Sequence, residues 1–135
     1  MKSTLALIVT FLAFNLAMAA DSDPVEIIRK MAAAFPKEAK PASDGKIIPI
    51  SKVEFDVKKT DSLVFPLLGL IGFTVEFPEG NGSKSTLPFT FRLEYRWVDN
   101  NWIFNRVLNA RGVEGGTNLI TTGPIHEFIE KYQKK

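Results

Sequence analysis

From Phe89 to Trp97 the chain alternates without a break: Phe89, Phe91, Leu93, Tyr95 and Trp97 are apolar, and Thr90, Arg92, Glu94 and Arg96 between them are polar. Successive side chains leave opposite sides of a strand, so this pattern specifies a strand with one dry and one wet face. Asp99-Asn100-Asn101 supplies a tight hairpin turn, and Trp102 to Leu108 returns as a second strand whose alternation favours neither face. Two further period-two runs precede it. Val53, Phe55 and Val57 alternate with Lys52, Glu54, Asp56 and Lys58; Ile71, Phe73, Val75 and Phe77 alternate with Gly72, Thr74 and Glu76. The turn PEGNGSKS, residues 78–85, joins the second run to the 89–97 strand.

Helical spacing appears only at the two ends of this strand region. Asp23-Pro24-Val25-Glu26 has the composition of a helix start: an acceptor at the N-cap, proline at the first helical position, and a glutamate placed for a capping box. Val25, Ile28, Met31 or Ala32, and Phe35 then recur on one side, and Pro36 ends the helix. Lys37 to Lys46 is polar, carries Pro41 and Gly45, and reads as a loop. The loop 111–118 leads to Thr121-Thr122-Gly123-Pro124, a cap for a last helix from Ile125 to about Gln133 with Lys131, Lys134 and Lys135 at its end, where the helix dipole favours cations. The fold class is therefore α+β: an N-terminal helix packed on a curved antiparallel sheet of about four strands, with a short C-terminal helix.

Ahead of this frame, MKSTLALIVTFLAFNLAMAA has a single cation, Lys2, a short apolar run, and small residues ending in Ala17-Met18-Ala19. That is the build of a secretory leader cleaved after Ala19 or Ala20, too short in its apolar run for a membrane span. Residues 1–19 are expected to be removed, and residues 20–135 to form one domain of a size that supports one core. Of 17 lysines and arginines one is in the leader, which leaves 16 against 15 acidic residues. So balanced a surface, without a basic block, gives no footprint for nucleic acid. There is no cysteine, which excludes a lipidated lipobox, a thiol nucleophile and a thiolate metal site. A disulfide-free exported domain of this size is expected in a bacterial periplasm or secreted from a bacterium.

Leu63 to Phe73 carries no charge, yet Pro66, Gly69 and Gly72 oppose a helix and the stretch is about half the length of a membrane span. It is expected to be a strand that enters irregularly and becomes regular at Ile71. Its surplus apolar residues, Val64, Phe65, Leu67, Leu68 and Leu70, are expected to be buried by the terminal helix, a loop or another chain. Leu67, Leu68 and Leu70 are accordingly the candidate interface, for a second copy or another protein, through the segment 63–73.

Candidate chemistry is sparse. His126 is the lone histidine; it lies in the first turn of a terminal helix next to Glu127, and a histidine metal site needs several such ligands. No catalytic residue, metal site or cofactor is assigned. The charged strand face, with Glu54, Asp56, Glu76, Glu94, Arg92 and Arg96, makes either an anion-binding cleft or ordinary cross-strand pairs. For a small-molecule site Arg92, Tyr95 and Arg96 are the residues to test. Gly112, Gly115 and Gly116 lack the lysine and helix of a phosphate loop. Asn81-Gly82-Ser83 matches a glycosylation sequon but is explained as turn chemistry. Trp97 falls in phase with the core face; Trp102 either joins it or is exposed for stacking.

The capped helix Asp23 to Phe35 and the hairpin FTFRLEYRWVDNNWIFNRV, residues 89–107, resemble the cystatin-like superfamily, including its nuclear-transport-factor-like domains. KKTDSLVFPLLG, residues 58–69, resembles a pattern in small exported bacterial proteins of uncharacterised function. The superfamily likeness implies a helix against a curved sheet, but function does not travel with such a fold. Cystatin inhibitors use a Gln-x-Val-x-Gly hairpin, and the one glutamine here, Gln133, is in the tail. Two functional readings follow. The first is an exported non-enzymatic domain that binds a partner, peptide or small ligand through its sheet. The alternative is a small-ligand enzyme of the nuclear-transport-factor-like kind, with a pocket between helix and sheet.

Overall fold

The computed structural model describes residues 23–42, 45–80 and 84–133. The expected leader and its cleavage point, the Asn81-Gly82-Ser83 sequon, and Lys134 and Lys135 lie outside the described residues. Helix α1 (Pro24–Ala33) is followed by strands β1 (Glu38–Ala39), β2 (Ile48–Lys59), β3 (Leu67–Pro78), β4 (Thr86–Val98) and β5 (Asn101–Asn109). A 3-10 turn (Thr117–Leu119) and helix α2 (Gly123–Lys131) complete the order. The strands form one antiparallel sheet, β1-β2-β3-β4-β5, curled into a half-barrel. The expected α+β frame is present, with five strands where about four were expected: the two-residue β1, inside the polar 37–46 segment, pairs with Ile48 and Pro49. Among the described residues no helix is long and apolar enough to cross a membrane.

The alternation of β4 places Phe91, Leu93, Tyr95 and Trp97 on the inner face, joined there by Ile71, Phe73 and Val75 of β3. Helix α1 lays Ile28, Met31 and Phe35 onto this face, and α2 adds Ile125, Phe128 and Ile129. Each buried side chain of this size contributes about 1.5–3 kcal/mol through apolar surface removed from water. Asp23 caps α1 by accepting from the Val25 N–H at 3.1 Å. Glu26 does not close the expected capping box; its carboxylate takes the Arg29 guanidinium at 2.8 Å. Val25, expected on the apolar stripe, faces solvent, and the stripe is built on Ile28, Met31 and Phe35. Gly69 lies beneath Ile28 and Trp102, where a Cβ would overlap the Ile28 side chain, so its smallness lets α1 approach β3.

Two extra residues break the strand alternation. In β2 the register slips between Ser51 and Glu54, with Lys52 at φ 53°, so the inward set changes from Ile48 and Ile50 to Val53, Phe55 and Val57. In β5 the slip lies opposite Glu94 and Tyr95, and the inward set changes from Trp102 and Phe104 to Val107. That slip is why the 102–108 pattern favours neither face. It is also functional within the fold: both Asn105 and Arg106 reach the Glu94 carboxylate, at 2.7 and 3.0 Å, and satisfy a charge that is almost wholly buried. Asp99 and Asn100 both have positive φ, the two-residue turn that matches hairpin twist. Trp97 and Trp102 pack edge to face across it, 5.0 Å apart, and both are buried. Trp102 Nε1 donates to the Pro24 carbonyl at 2.9 Å, tying the hairpin to the start of α1.

The segment opened by Leu63 divides at Pro66. Residues 60–66 form the β2–β3 loop, and β3 is regular from Leu67, four residues earlier than Ile71, the expected point. The Thr60 hydroxyl binds the Phe65 carbonyl and Ser62 receives the Val64 and Phe65 N–H groups, which makes the loop compact. Leu67 packs against the core, and Leu68 and Leu70 are half-buried on the outer face. Phe65 folds back over Arg96. Val64, expected to be buried with them, is 72 % exposed, because the proline-terminated loop lifts it and Leu63 off the sheet.

Candidate functional site

A sheet offers its edges as binding surface wherever backbone donors and acceptors face outward without partners. Which groups face outward follows from the ladder, because in an antiparallel pair alternate residues direct both N–H and C=O to the same neighbour. Thr60 N–H donates to the Pro66 carbonyl at 2.9 Å, continuing the register in which Lys58 opposes Leu68, Asp56 opposes Leu70 and Glu54 opposes Gly72. These even-numbered residues therefore bond to β3. Val53, Phe55, Val57 and Lys59 direct their backbone groups the other way. On that side β1 extends only to Pro49 and Ile48, with Lys37 reaching the Ile50 N–H at 2.8 Å. Among the described residues nothing pairs with the outward groups of Val53 to Lys59, an open edge of about 23 Å at 3.3 Å per residue.

Elsewhere the described residues cover or interrupt parts of the margin. Along β5 the Gln133 side chain accepts from Phe104 N–H at 3.0 Å and donates to the Trp102 carbonyl at 3.2 Å, in the manner of a neighbouring strand. Further along, Gly115 N–H donates to the Val107 carbonyl, and Asn109 N–H donates to the Val113 carbonyl at 2.8 Å. At the far end of the β3–β4 hairpin both strands outrun their neighbours: β4 is paired with β5 only from Phe91, and β3 with β2 only to Val75. The Glu79 N–H to Ser85 carbonyl bond sets odd residues inward within this hairpin. Pro78 and Pro88 thus occupy outward positions on its two sides, where neither offers a donor.

Around the open edge the side chains sort cleanly. Val53 and Val57 are half-buried on the inner face, and Phe55 between them is 38 % exposed. Outward stand Glu54, Asp56 and Lys58, all exposed. Beside them Gly72, lacking a side chain, leaves a shallow depression of about 240 Å³ bounded by Glu54, Asp56, Lys58, Leu70 and Arg92. None of Glu54, Asp56, Lys58 and Arg92 forms an ion pair with another described residue. The charged face near the edge is therefore unpaired, while Glu94, farther in, has its partners.

The three residues proposed for a small-molecule site are not together. Arg92 and Arg96 point to the outer face, whereas Tyr95 is fully buried on the inner face, 5.6 Å from the Phe104 ring centroid. Burial pushes the Tyr95 phenol well above its ordinary range, Tyr132 adding to the effect, and its hydroxyl meets no hydrogen-bond partner among the described residues. Such a group is a neutral core residue. Arg96 lies 4.5 Å from the Phe65 ring centroid, and its Nε is buried without a partner, so Arg92 alone of the three borders the depression at the edge. His126 Nδ1 is 3.0 Å from the Ile120 carbonyl and Nε2 is 3.2 Å from Glu130, so both nitrogens are engaged within the last helix and the turn before it. Among the described residues no group of three histidine, cysteine or acidic side chains is placed to hold a metal. The open β2 edge was not singled out in the sequence; the signal it leaves there is the parity of Val53, Phe55 and Val57 without a proline among them.

Neither a scan against protein-family models nor searches of curated proteins and of solved structures match this chain.

Proposed function

We propose that this chain is an exported, non-enzymatic binding domain that takes an extended protein segment as an additional strand along β2. The observation that carries this reading is the run from Val53 to Lys59 whose outward backbone groups have no partner among the described residues, in a sheet whose β5 margin is partly covered and whose β3–β4 end is interrupted by proline. In strand addition the main chain supplies affinity and alternate side chains supply selectivity. The selective positions here are Val53, Phe55 and Val57 toward the curled interior, and Glu54, Asp56 and Lys58 outside. Export rests on the leader composition of residues 1–20. Kinship with cystatin-like folds belongs to the same proposal and rests on element order.

The packing of the inner face supports a binding role over a small-ligand enzyme. Tyr95 is enclosed by the core, and the cavity of about 240 Å³ between α1 and the β4–β5 hairpin is lined by Ile27, Met31, Asn100, Asn101, Trp102, Lys131 and Tyr132, with neither Tyr95 nor a carboxylate in its wall. The test is selection of a displayed random-peptide library on the purified domain. Enrichment of peptides with alternating apolar residues is expected, with binding lost in Val57→Pro, which removes one outward N–H and leaves the β3 ladder intact. Binders indifferent to Val57→Pro, or no enrichment, would overturn the reading.

A further inference from the structure

Resting on the strand-addition reading, we propose that the occupant of the β2 edge is a second copy of this chain, paired antiparallel about Val57. The argument is one of register and charge. A two-fold pairing of two β2 edges must set the outward residues Val53, Phe55, Val57 and Lys59 opposite one another, and the registers that engage at least three of the four place the axis on Phe55, Asp56 or Val57. With the axis on Phe55, Glu54 faces Asp56 of the second copy, a like-charge contact made twice. With the axis on Asp56, Glu54 faces Lys58 twice, but Asp56 faces itself. With the axis on Val57, Asp56 faces Lys58 twice, Glu54 faces the neutral Thr60, and no like charges are opposed. Since like charges directly opposite destabilise a ladder and opposite charges support it, the outer face of β2 is self-complementary in that last register alone.

The monomer has left these groups available. Asp56 and Lys58 are exposed and form no ion pair with another described residue. On the inner side the same register lays the Lys59 stem across the half-exposed Phe55 ring, an apolar contact that keeps the ammonium in water. It also runs the loop bearing Leu63, 100 % exposed, and Val64 alongside the Ser51–Val53 segment of the second copy. The product is one continuous ten-stranded sheet, joined by about six backbone hydrogen bonds across the axis.

Sedimentation equilibrium of the chain recovered after processing of its own leader tests this. A monomer–dimer equilibrium is expected. Asp56→Lys and Lys58→Asp should each weaken it about tenfold or more, because each substitution reverses two contacts related by the axis. The double variant Asp56→Lys/Lys58→Asp should return the dissociation constant to within about threefold of the parent, and Val57→Pro should sediment as monomer with an unchanged melting temperature. Failure of the double variant to rescue would overturn the register and the proposal with it. A parent that stays monomeric while displayed peptides bind in a Val57-dependent way would overturn the second-copy inference and leave strand addition standing. A monomer that binds no peptide would overturn both.

Discussion

The two places where this sheet outruns its own strands are handled in opposite ways. At the end of the β3–β4 hairpin, Leu87 and Phe89 are each about half exposed, an apolar surface on a strand margin, and there Pro78 and Pro88 remove two of the outward donors, leaving those of Glu76, Thr86 and Thr90. Along β2 the outward positions are Val53, Phe55, Val57 and Lys59, each with its N–H intact. The hairpin end thus offers hydrophobic area with a hydrogen-bonding template interrupted by proline, and β2 offers a continuous template with modest hydrophobic area. Edge strands are usually protected by proline, bulge or charge. Interruption by proline at one margin, against seven residues of β2 whose outward groups meet no partner among the described residues, is the difference expected between an edge to be kept apart and an edge that is used.

The sharpest way to break the contrast is to move a proline by one residue. Asp56→Pro deletes a donor that bonds to β3 and should cost about 3 kcal/mol. Val57→Pro deletes an outward donor and should stay within about 1 kcal/mol of the parent. Urea denaturation of the pair measures both, and equal losses would mean that the assignment of outward residues is wrong. Next in size is Gln133→Ala, which strips Phe104 N–H and Trp102 C=O of their partners and should cost about 1–2 kcal/mol. Amide exchange at Phe104 should accelerate in step with that loss, turning a covered edge into an open one. The smallest change in stability is expected from Pro88→Val, within about 0.5 kcal/mol. It restores a donor beside Leu87 and Phe89, and light scattering should detect a new association that Lys58→Asp leaves untouched.

How much of this was legible beforehand depended on whether local pattern and ladder agreed. The cap at Asp23, the alternating β4 and the Asp99-Asn100 turn were readable because each is decided by residues near in sequence. The first half of β2 and the face of β5 were not, since an extra residue at Lys52 and another at Asn105 reverses the phase, and an apolar pattern read with one phase dissolves there. β1 is two residues long, below what any periodicity can announce. The candidate site was hidden for a different reason. Arg92, Tyr95 and Arg96 are close in sequence, but strand geometry sends the middle one to the other side of the sheet. The open edge is a property of backbone groups left over after pairing, and hydropathy does not register leftover backbone.

Lys52 has one further consequence. Glu54 opposes Gly72 and Ser51 opposes Thr74, so taking Lys52 out would let Val53 oppose Phe73 and leave every other side chain of β2 on its present face. Loss of a residue from Glu54 to Val57 would instead turn the residues between the slip and the gap inside out. As a matter of chain length, β2 therefore tolerates the loss of one residue at the slip, as with Lys52. A descendant lacking it would keep both its core and its open edge, trading a left-handed lysine for a straighter strand.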